Sequence, residues 1–181
     1  MKEISLHILD IAENSISADA KNIEISVVEN GKSDLLQITI KDDGKGMDDE
    51  TIARIQDPFY TSRTTRRVGL GIPLFKAAAE ACQGDLTITS TPGKGTEVIV
   101  VFQNSHIDRM PIGDLTGTIL TLLIGSPEIH WKLIYAKDDK FLELDSRLIQ
   151  KELGEVPLCD PAVMKWLREY IQEGILDVQN A

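Results

Sequence analysis

Residues 42–71 read DDGKGMDDETIARIQDPFYTSRTTRRVGLG, and the rest of the chain is organised around them. An acidic residue and two spaced glycines come first, an aromatic loop follows, and a basic segment leads into a second pair of glycines. A carboxylate in a glycine-opened turn is a suitable acceptor for the exocyclic amine of a purine. Arginines beside a glycine-rich helix start suit phosphates. The order of these parts predicts a nucleotide-binding site.

Within this stretch the candidate ligand contacts are Asp42, Gly44, Gly46, Arg63, Arg66, Arg67, Gly69, Leu70 and Gly71. The carboxylate of Asp42 is the candidate acceptor for the purine amine, and the arginines supply positive charge. The amides at 69–71 begin a helix whose N-terminal dipole favours anions by about 0.3–1 kcal/mol per charge. Pro73 fits the first turn of that helix. An ordinary turn is the alternative for either glycine pair taken alone.

The composition narrows the classes of protein. With 181 residues and 42% hydrophobic content, the chain can bury one good core, or a main domain with a small appendix. Its net charge of -10 argues against a nucleic-acid-binding surface. Residues 1–10 lack the pattern of a signal peptide, and the apolar run at 119–124 is too short to span a bilayer. Cys82 and Cys159 have no metal-site spacing, so we expect reduced thiols in a cytoplasmic protein. From the net charge and the short apolar run we expect neither a nucleic-acid nor a membrane partner.

An amphipathic helix is predicted over residues 3–20, because isoleucines recur there at three- and four-residue steps. Asp10 and Asn14 lie four residues apart on it and therefore share a face. The amide oxygen of Asn14 is a candidate magnesium ligand. The carboxylate of Asp10, one turn earlier, is a candidate for orienting or deprotonating an attacking nucleophile. The alternative for both residues is that they are simply solvated polar positions on a surface helix.

The pattern up to residue 103 predicts further strands and helices. We expect strands at 22–29 and 35–41, a short helix capped by Asp48 and running to Ile55, a helix at 70–83 that ends at Gly84, and strands at 85–91 and 95–102. Residues 57–68 have no strong periodicity, and we expect them to form a lid over a bound ligand.

Five segments, taken in order, resemble the motifs of one family of ATP-binding domains. They are LDIAENSISADAKNIEI (the N box), DDGKGM (the first glycine box), DPFYTS (the aromatic box of histidine kinases), RRVGLGIPL (the second glycine box) and TPGKGTEVIVVF (the last glycine-threonine box). Residues 1–103 therefore resemble the GHKL superfamily of histidine kinases, MutL-type mismatch-repair proteins, gyrase B subunits, a heat-shock ATPase chaperone and anti-sigma kinases. The resemblance implies an α+β fold, the two-layer α/β sandwich known as the Bergerat or histidine-kinase-like ATPase fold.

The resemblance also implies ATP and Mg²⁺ as cofactors and a role for each matching residue. Asn14 would hold Mg²⁺ between the phosphates, Asp42 would bind the adenine amine, and Thr96 would support Asp42 through a water molecule. The implied ATP contacts are Asn14, Asp42, Gly44, Lys45, Gly46, Met47, Phe59, Thr61, Ser62, Arg63, Gly69, Leu70, Gly71 and Thr96.

One position departs from the pattern of the family members that hydrolyse ATP. Those members have a catalytic glutamate four residues before the magnesium-binding asparagine, whereas this chain has Asp10, which is one methylene shorter. Glu13 is the substitute candidate, although it points about 100° round the helix from Asn14. His7 lacks the sequence surroundings of a phosphoacceptor, so we expect a core or hydrogen-bonding role for it. We expect His130 to be an ordinary surface or hairpin histidine.

Residues 104–181 lie outside the resemblance, and we expect them to form a small α+β extension of unknown role. The pattern predicts a helix at 114–124 capped by Asp114, a hairpin with strands at 129–136 and 141–145, a helix at 146–153, and a helix at 161–173 capped by Asp160 and stopped by Gly174. The last helix carries an apolar stripe. We expect the stripe to pack on its own domain, and the alternative is a surface for a partner protein or a homodimer.

Three functional hypotheses follow from the sequence. The first is a protein kinase of the histidine-kinase or anti-sigma type that acts on a separate protein. The second is a slow ATPase that switches conformation, as in the MutL branch, and the third is a non-catalytic module that senses ATP. We favour the kinase, because phosphoryl transfer depends on positioning and charge neutralisation more than on a base. The aromatic box and the short lid also resemble those of histidine kinases.

Overall fold

The described part of the chain folds into helices and strands close to those expected from the sequence. The structure is a computed structural model that describes residues 3–56 and 71–180. In chain order its elements are α1 (Ile4–Ser17), β1 (Asn22–Asn30), β2 (Leu35–Asp42), α2 (Asp49–Gln56), α3 (Gly71–Ala81), β3 (Asp85–Thr91), β4 (Gly95–Gln103), α4 (Leu115–Gly125), β5 (His130–Lys137), β6 (Lys140–Asp145), α5 (Ser146–Leu153) and α6 (Pro161–Gln179). The predicted lid at 57–68 lies outside the described residues.

The six strands form one mixed sheet in the order β3-β4-β2-β1-β5-β6. Neighbouring strands are antiparallel except for β1 and β5, which are parallel. The register pairs Asp42 with Ile23 on one side and with Thr96 on the other. It also pairs Asn22 with His130. Four strands therefore bring these polar residues together at one end of the sheet.

One face of the sheet is covered by helices. Ile23, Ile25 and Val27 of β1 are buried, whereas the residues between them have access to solvent. The helix α1 packs on β2, α3 packs on β3 and β4, and α6 packs on β5 and β6. Alternating burial of this kind is typical of an antiparallel sheet with a single covering layer. The predicted two-layer α/β sandwich is thus confirmed.

The C-terminal segment shares this sheet and its core. The predicted boundary between residues 103 and 104 falls at the end of β4, and beyond it β5 pairs with β1 while β6 completes the sheet. The helix α4 packs against both α1 and α6. Buried side chains from both parts, such as Phe75 and Leu167, belong to one hydrophobic cluster. The predicted extension is therefore joined to the N-terminal segment by strand pairing and by burial.

Gly84 follows α3 for a different reason from the one predicted. The helix ends at Ala81, and the left-handed residue after it is Gln83, with φ 56°. A Cβ atom on Gly84 would lie 1.7 Å from the carbonyl oxygen of Val101. Glycine is required here by close contact with β4 rather than by the helix end itself, and a local sequence pattern does not contain that contact.

The last helix, α6, continues past Gly174 to Gln179, so the predicted helix end at Gly174 is wrong. A Cβ atom on Gly174 would lie 2.7 Å from Cδ1 of Leu142, which shows that glycine allows α6 to pack closely on β6. At the other end of the helix, Asp160 accepts hydrogen bonds from the amides of Ala162 and Val163, as its predicted capping role requires.

The apolar stripe of α6 divides between two surfaces. Val163, Leu167 and Ile171 are buried in the core, which confirms packing on their own domain. Trp166 and Tyr170 are 49% and 42% exposed, and their rings stack with centroids 5.5 Å apart. A surface for a partner or a second copy of the chain stays a prediction. Among the described residues, no helix has both the length and the apolar composition needed to cross a bilayer.

Candidate functional site

A cavity of about 270 Å³ opens between α1, α2 and the end of the sheet where Asp42 pairs with Thr96. Among the described residues, the apolar ones that line it are Ile11, Ala18, Met47, Ile55, Ile72 and Val98. The other described residues that line it are Asn14, Ser15, Ser17, Asp42, Lys45, Gly46, Thr51 and Thr96. The cavity surface is mainly apolar with polar groups placed within it, as is typical of small-molecule sites. The structure therefore assembles several predicted ligand residues from distant parts of the sequence around one space.

The carboxylate of Asp42 is held in one orientation at this cavity. Its Oδ2 atom accepts a hydrogen bond from Ser15 Oγ at 2.5 Å. Its Oδ1 atom accepts hydrogen bonds from the amides of Gly44 at 2.9 Å and Thr96 at 3.2 Å. Carboxylate oxygens have about four lone-pair positions in total, so capacity remains for a further donor. Thr96 thus contacts Asp42 directly through its backbone amide, a contact additional to the water-mediated one predicted.

The glycine loop after β2 fits closely against the β3–β4 turn. Gly46 has φ 65°, and a Cβ atom there would lie 2.0 Å from the carbonyl oxygen of Thr91. The amide of the next residue, Met47, donates a hydrogen bond to Ser90 Oγ at 2.8 Å. Ser90 Oγ also lies 2.8 Å from Thr96 Oγ1. Only glycine allows this approach, and the loop is consequently fixed beside Asp42.

Asp10 faces the start of α3 rather than the cavity. A Cβ atom on Gly71 would lie 1.5 Å from Asp10 Oδ2, so glycine is required for the two helices to meet. This oxygen is buried without a hydrogen-bond partner among the described residues. Burial raises the pKa of Asp10 above its ordinary value. The carboxyl group is therefore placed beside the predicted phosphate end of the site, with a spare acceptor directed at the N-terminus of a helix.

Asn14 and Glu13 differ in their access to the cavity. The Asn14 side chain lines it and is exposed to solvent, which suits a predicted ligand of a hydrated metal ion. Glu13 is exposed, and within the described part of the chain it does not contribute to the cavity lining. Among the described residues, neither of the two predicted catalytic carboxylates lines the cavity, and Asp10 differs from Glu13 in lying against the start of α3.

His7 lies one turn before Asp10 and is only 2% exposed. Its ring stacks on Phe75 of α3, with centroids 4.4 Å apart and an angle of 5° between the planes. Burial lowers the pKa of His7 to about 4, while a hydrogen bond with the backbone of Gly71 acts in the opposite direction. A buried neutral imidazole agrees with the expected core role and connects α1 to the start of α3.

Several predicted contacts lie outside the described residues: Phe59, Thr61, Ser62, Arg63, Arg66, Arg67, Gly69 and Leu70. They stay predictions. Conversely, Ser15 and Ser90 hold the site together and were missed by the sequence analysis. For Ser15 a signal was available, because it stands four residues after Ile11 on the apolar face of α1, where a serine needs a buried partner.

A comparison with protein-family models identifies residues 2–106 as a match to the histidine kinase-, DNA gyrase B- and HSP90-like ATPase family. This chain belongs to that family. Residues 2–106 are therefore an ATP-binding domain of the GHKL superfamily, as the motifs predict.

Relatives of the GHKL domain in this chain include bacterial sensor kinases. The chain is 40% identical over 89 residues to the sensor protein kinase FleS of Pseudomonas aeruginosa, which covers 49% of this chain and 22% of that protein. It is 35% identical over 101 residues to the signal transduction histidine-protein kinase AtoS of Escherichia coli, covering 56% of this chain and 16% of that protein. The chain therefore aligns with less than a quarter of the length of either relative.

Two solved structures share the fold. The MutL ATPase domain of Aquifex aeolicus complexed with ADP superposes with a TM-score of 0.54 at 15% identity, covering 83% of this chain and 68% of that chain. The N-terminal domain of a DNA repair protein gives a TM-score of 0.53 at 18% identity, covering 80% and 52%. Both superpositions include more of this chain than the family model matches, so part of the C-terminal segment also has counterparts in these folds.

Proposed function

We propose that this chain binds Mg-ATP in the cavity beside α1 and is a histidine-kinase-like or anti-sigma-like protein kinase that phosphorylates a separate protein. The observation that supports it best is the fixed carboxylate of Asp42 at an apolar cavity, with one Oδ2 contact to Ser15 and room for another donor. In the proposal Asp42 accepts a hydrogen bond from the adenine amine, and side chains such as Ile11 and Val98 pack on the base.

The phosphate end of the proposed site lies toward Asn14 and the start of α3. Asn14 would hold Mg²⁺, whose charge supplies electrostatic stabilisation for the phosphates when it is bound. The N-terminus of α3 at Gly71 provides a partial positive charge that favours anions. Lys45 lines the cavity and adds a positive charge at its mouth. An amide oxygen for the metal ion and two sources of positive charge for the phosphates therefore fit a nucleotide with its Mg²⁺ ion.

The position of Asp10 favours transfer to a protein over transfer to water. A base for hydrolysis must contact a water molecule at the reacting phosphorus. The unpartnered Oδ2 of Asp10 is packed against Gly71 instead, and Asp10 does not line the cavity within the described residues. A kinase does not need this base, because positioning and charge neutralisation dominate phosphoryl transfer and the acceptor comes from another protein.

A slow ATPase switch is the second candidate, and the buried carboxyl of Asp10 is the observation in its favour. Burial raises its pKa, and a carboxyl with a raised pKa is a stronger proton acceptor when it is ionised. Asp10 also lies beside the first turn of α3, where the phosphates are expected. A module that binds ATP without any chemistry is the remaining hypothesis.

Nucleotide binding is tested first with a matched pair of variants. The unfolding temperature should rise with Mg-ATP, since a ligand at about 100 times its dissociation constant adds about 2.7 kcal/mol of stability. The variant Asp42→Ala should lose this rise. Glu97→Gln should keep it, because Glu97 pairs with Lys41 at 3.8 Å and is not part of the cavity lining. An equal rise in Asp42→Ala would refute the assignment of Asp42.

The reaction is tested with ATP labelled on its terminal phosphate. The kinase hypothesis predicts little free phosphate from the protein alone and a labelled protein when a cell extract is added. The switch hypothesis predicts slow release of free phosphate that is lost in Asp10→Asn. Binding without either product would leave the sensing module as the function and exclude the kinase.

A further inference from the structure

We propose that Asn22 and His130 are positioning residues for residues 43–48, the loop after β2, which we call the nucleotide loop. The segment beyond the family match then takes part in nucleotide binding. The inference rests on the proposed site at Asp42. It concerns a row of side chains at the end of the sheet that connects the nucleotide loop to β5 and α5. The row consists of Asp43, Asn22, His130, Asp145 and Arg147. His130 therefore has more than the ordinary hairpin role expected from the sequence.

The first part of the row joins Asp43 to Asn22. Asp43 is the residue after Asp42, and its Oδ1 atom accepts hydrogen bonds from the amides of Lys21 at 2.7 Å and Asn22 at 2.8 Å. Its Oδ2 atom accepts a third from Asn22 Nδ2 at 2.6 Å. Burial alone would raise the pKa of Asp43, but these hydrogen bonds outweigh it and hold the pKa below its ordinary value. Asp43 is thus held as a carboxylate against the start of β1.

The second part joins Asn22 to the C-terminal segment. Asn22 Oδ1 accepts a hydrogen bond from Arg147 Nη2 at 3.1 Å and lies 3.1 Å from Nδ1 of His130. On the other side of the ring, Nε2 of His130 lies 2.9 Å from Oδ1 of Asp145. Asp145 in turn accepts a hydrogen bond from the amide of Arg147 at the start of α5. The side-chain amide of Asn22 therefore directs its Nδ2 donor at the nucleotide loop and its Oδ1 acceptor at β5 and α5.

The loop held by this row is the one that forms the adenine end of the proposed site. Two residues after Asp43, the backbone amide of Lys45 donates a hydrogen bond to the carbonyl oxygen of Ala18 at 2.9 Å. This bond connects the nucleotide loop to the end of α1. The amide of Gly44 donates to Asp42 itself. A displacement of Asp43 therefore moves the backbone donor that orients the Asp42 carboxylate.

The isosteric variant Asn22→Asp tests the row without changing its volume. It keeps an oxygen acceptor for Arg147 and His130, but it replaces the donor to Asp43 by a second carboxylate oxygen at the same place. Mg-ADP affinity, measured by titration calorimetry, should fall about tenfold. The double variant Asn22→Asp with Asp43→Asn should restore it, because the amide of the new side chain again places a donor between the two groups. His130→Ala should also weaken binding.

The control is Asp160→Ala. Asp160 caps α6 and does not touch the row, so its loss should lower the unfolding temperature while leaving Mg-ADP affinity unchanged. A role in stability alone would make Asn22→Asp behave like this control. Amide hydrogen exchange at Gly44 and Lys45 in the free protein provides a second readout that needs no nucleotide. Exchange should be faster in Asn22→Asp and should return to the wild-type rate in the double variant.

The outcomes separate this inference from the proposed function. If the wild-type protein does not bind Mg-ADP, the proposed function fails, and the hydrogen-exchange comparison still decides the positioning role. If the wild-type protein binds and Asp42→Ala does not, but Asn22→Asp binds like the wild type, the positioning role is overturned alone. A double variant as weak as Asn22→Asp would also overturn it.

Discussion

The buried imidazole of His7 should make the stability of this protein depend on pH in a way that one substitution removes. Burial lowers the pKa of His7 from 6.5 to about 4. The unfolded chain therefore binds a proton between these two pH values while the folded protein does not. Stability is fully present above pH 6.5, is lost as the pH falls, and stops falling below about pH 4.

The size of the effect follows from the same two values. At about 1.4 kcal/mol for each tenfold difference in proton affinity, the full effect is about 3 kcal/mol, of which about 2 kcal/mol falls between pH 7 and pH 5. Urea unfolding of the wild type and of His7→Phe at both pH values measures it. The variant keeps an aromatic ring against Phe75 but has no titrating group, so its loss of stability should be smaller by about 2 kcal/mol.

The comparison with the variant also removes the contributions of other groups. Asp10 acts in the opposite sense, because burial raises its pKa and its folded form gains stability on protonation. The control His106→Gln should keep the loss that His7 causes. Parallel losses of stability in the wild type and His7→Phe would refute the reasoning, since the imidazole would then not be buried in its neutral form.

Two further predictions concern glycines. In Gly84→Ala the new Cβ would lie 1.7 Å from the carbonyl oxygen of Val101, so we expect a loss of more than about 2 kcal/mol in urea unfolding. Gly93→Ala is the comparison, because no described residue lies within 4 Å of its Cβ position and the left-handed backbone opposes the substitution by about 1–2 kcal/mol. An equal loss of stability in both variants would exclude the packing explanation. Gly46→Ala should weaken Mg-ADP binding in calorimetry by at least about tenfold, since its Cβ would meet the carbonyl of Thr91 beside the site; unchanged affinity would count against that loop as the adenine end.

The site residues that could be predicted from the sequence are those that belong to short contiguous motifs. Asp42 stands before two spaced glycines, and Asn14 stands one turn after Asp10 on an amphipathic helix. The β1–β2 hairpin leads the chain away from α1 and back to Asp42. The pairing of its two strands therefore brings the side chains of Asn14 and Asp42 to the same cavity. Local pattern and family motif agree here, and Asn14 and Asp42 line one cavity, while their contacts with Mg²⁺ and ATP stay predictions.

The parts that were not predictable depend on contacts between distant segments. The sequence pattern predicts that Gly84 and Gly174 end helices, but each glycine is required by a strand that packs against it. His130 has no motif, and it gains a role only because β5 lies parallel to β1 and beside Asn22. A parallel pairing across so long a separation has no turn sequence to mark it. Such contacts are absent from any local window of the sequence.

The pairing of β5 with β1 also determines what α1 can do. Without the C-terminal segment β1 would be an edge strand with an unpaired row of backbone groups next to the site. The first amides of α1 would lack partners as well, because Ile4 and Ser5 donate to the carbonyl oxygens of Pro111 and Ile112 at 3.0 Å and 2.8 Å. The helix that carries Asp10 and Asn14 is therefore held at its N-terminus by residues beyond the family match, and its far end reaches the loop that Asn22 holds. Both ends of the proposed site thus depend on the segment that the family motifs do not cover.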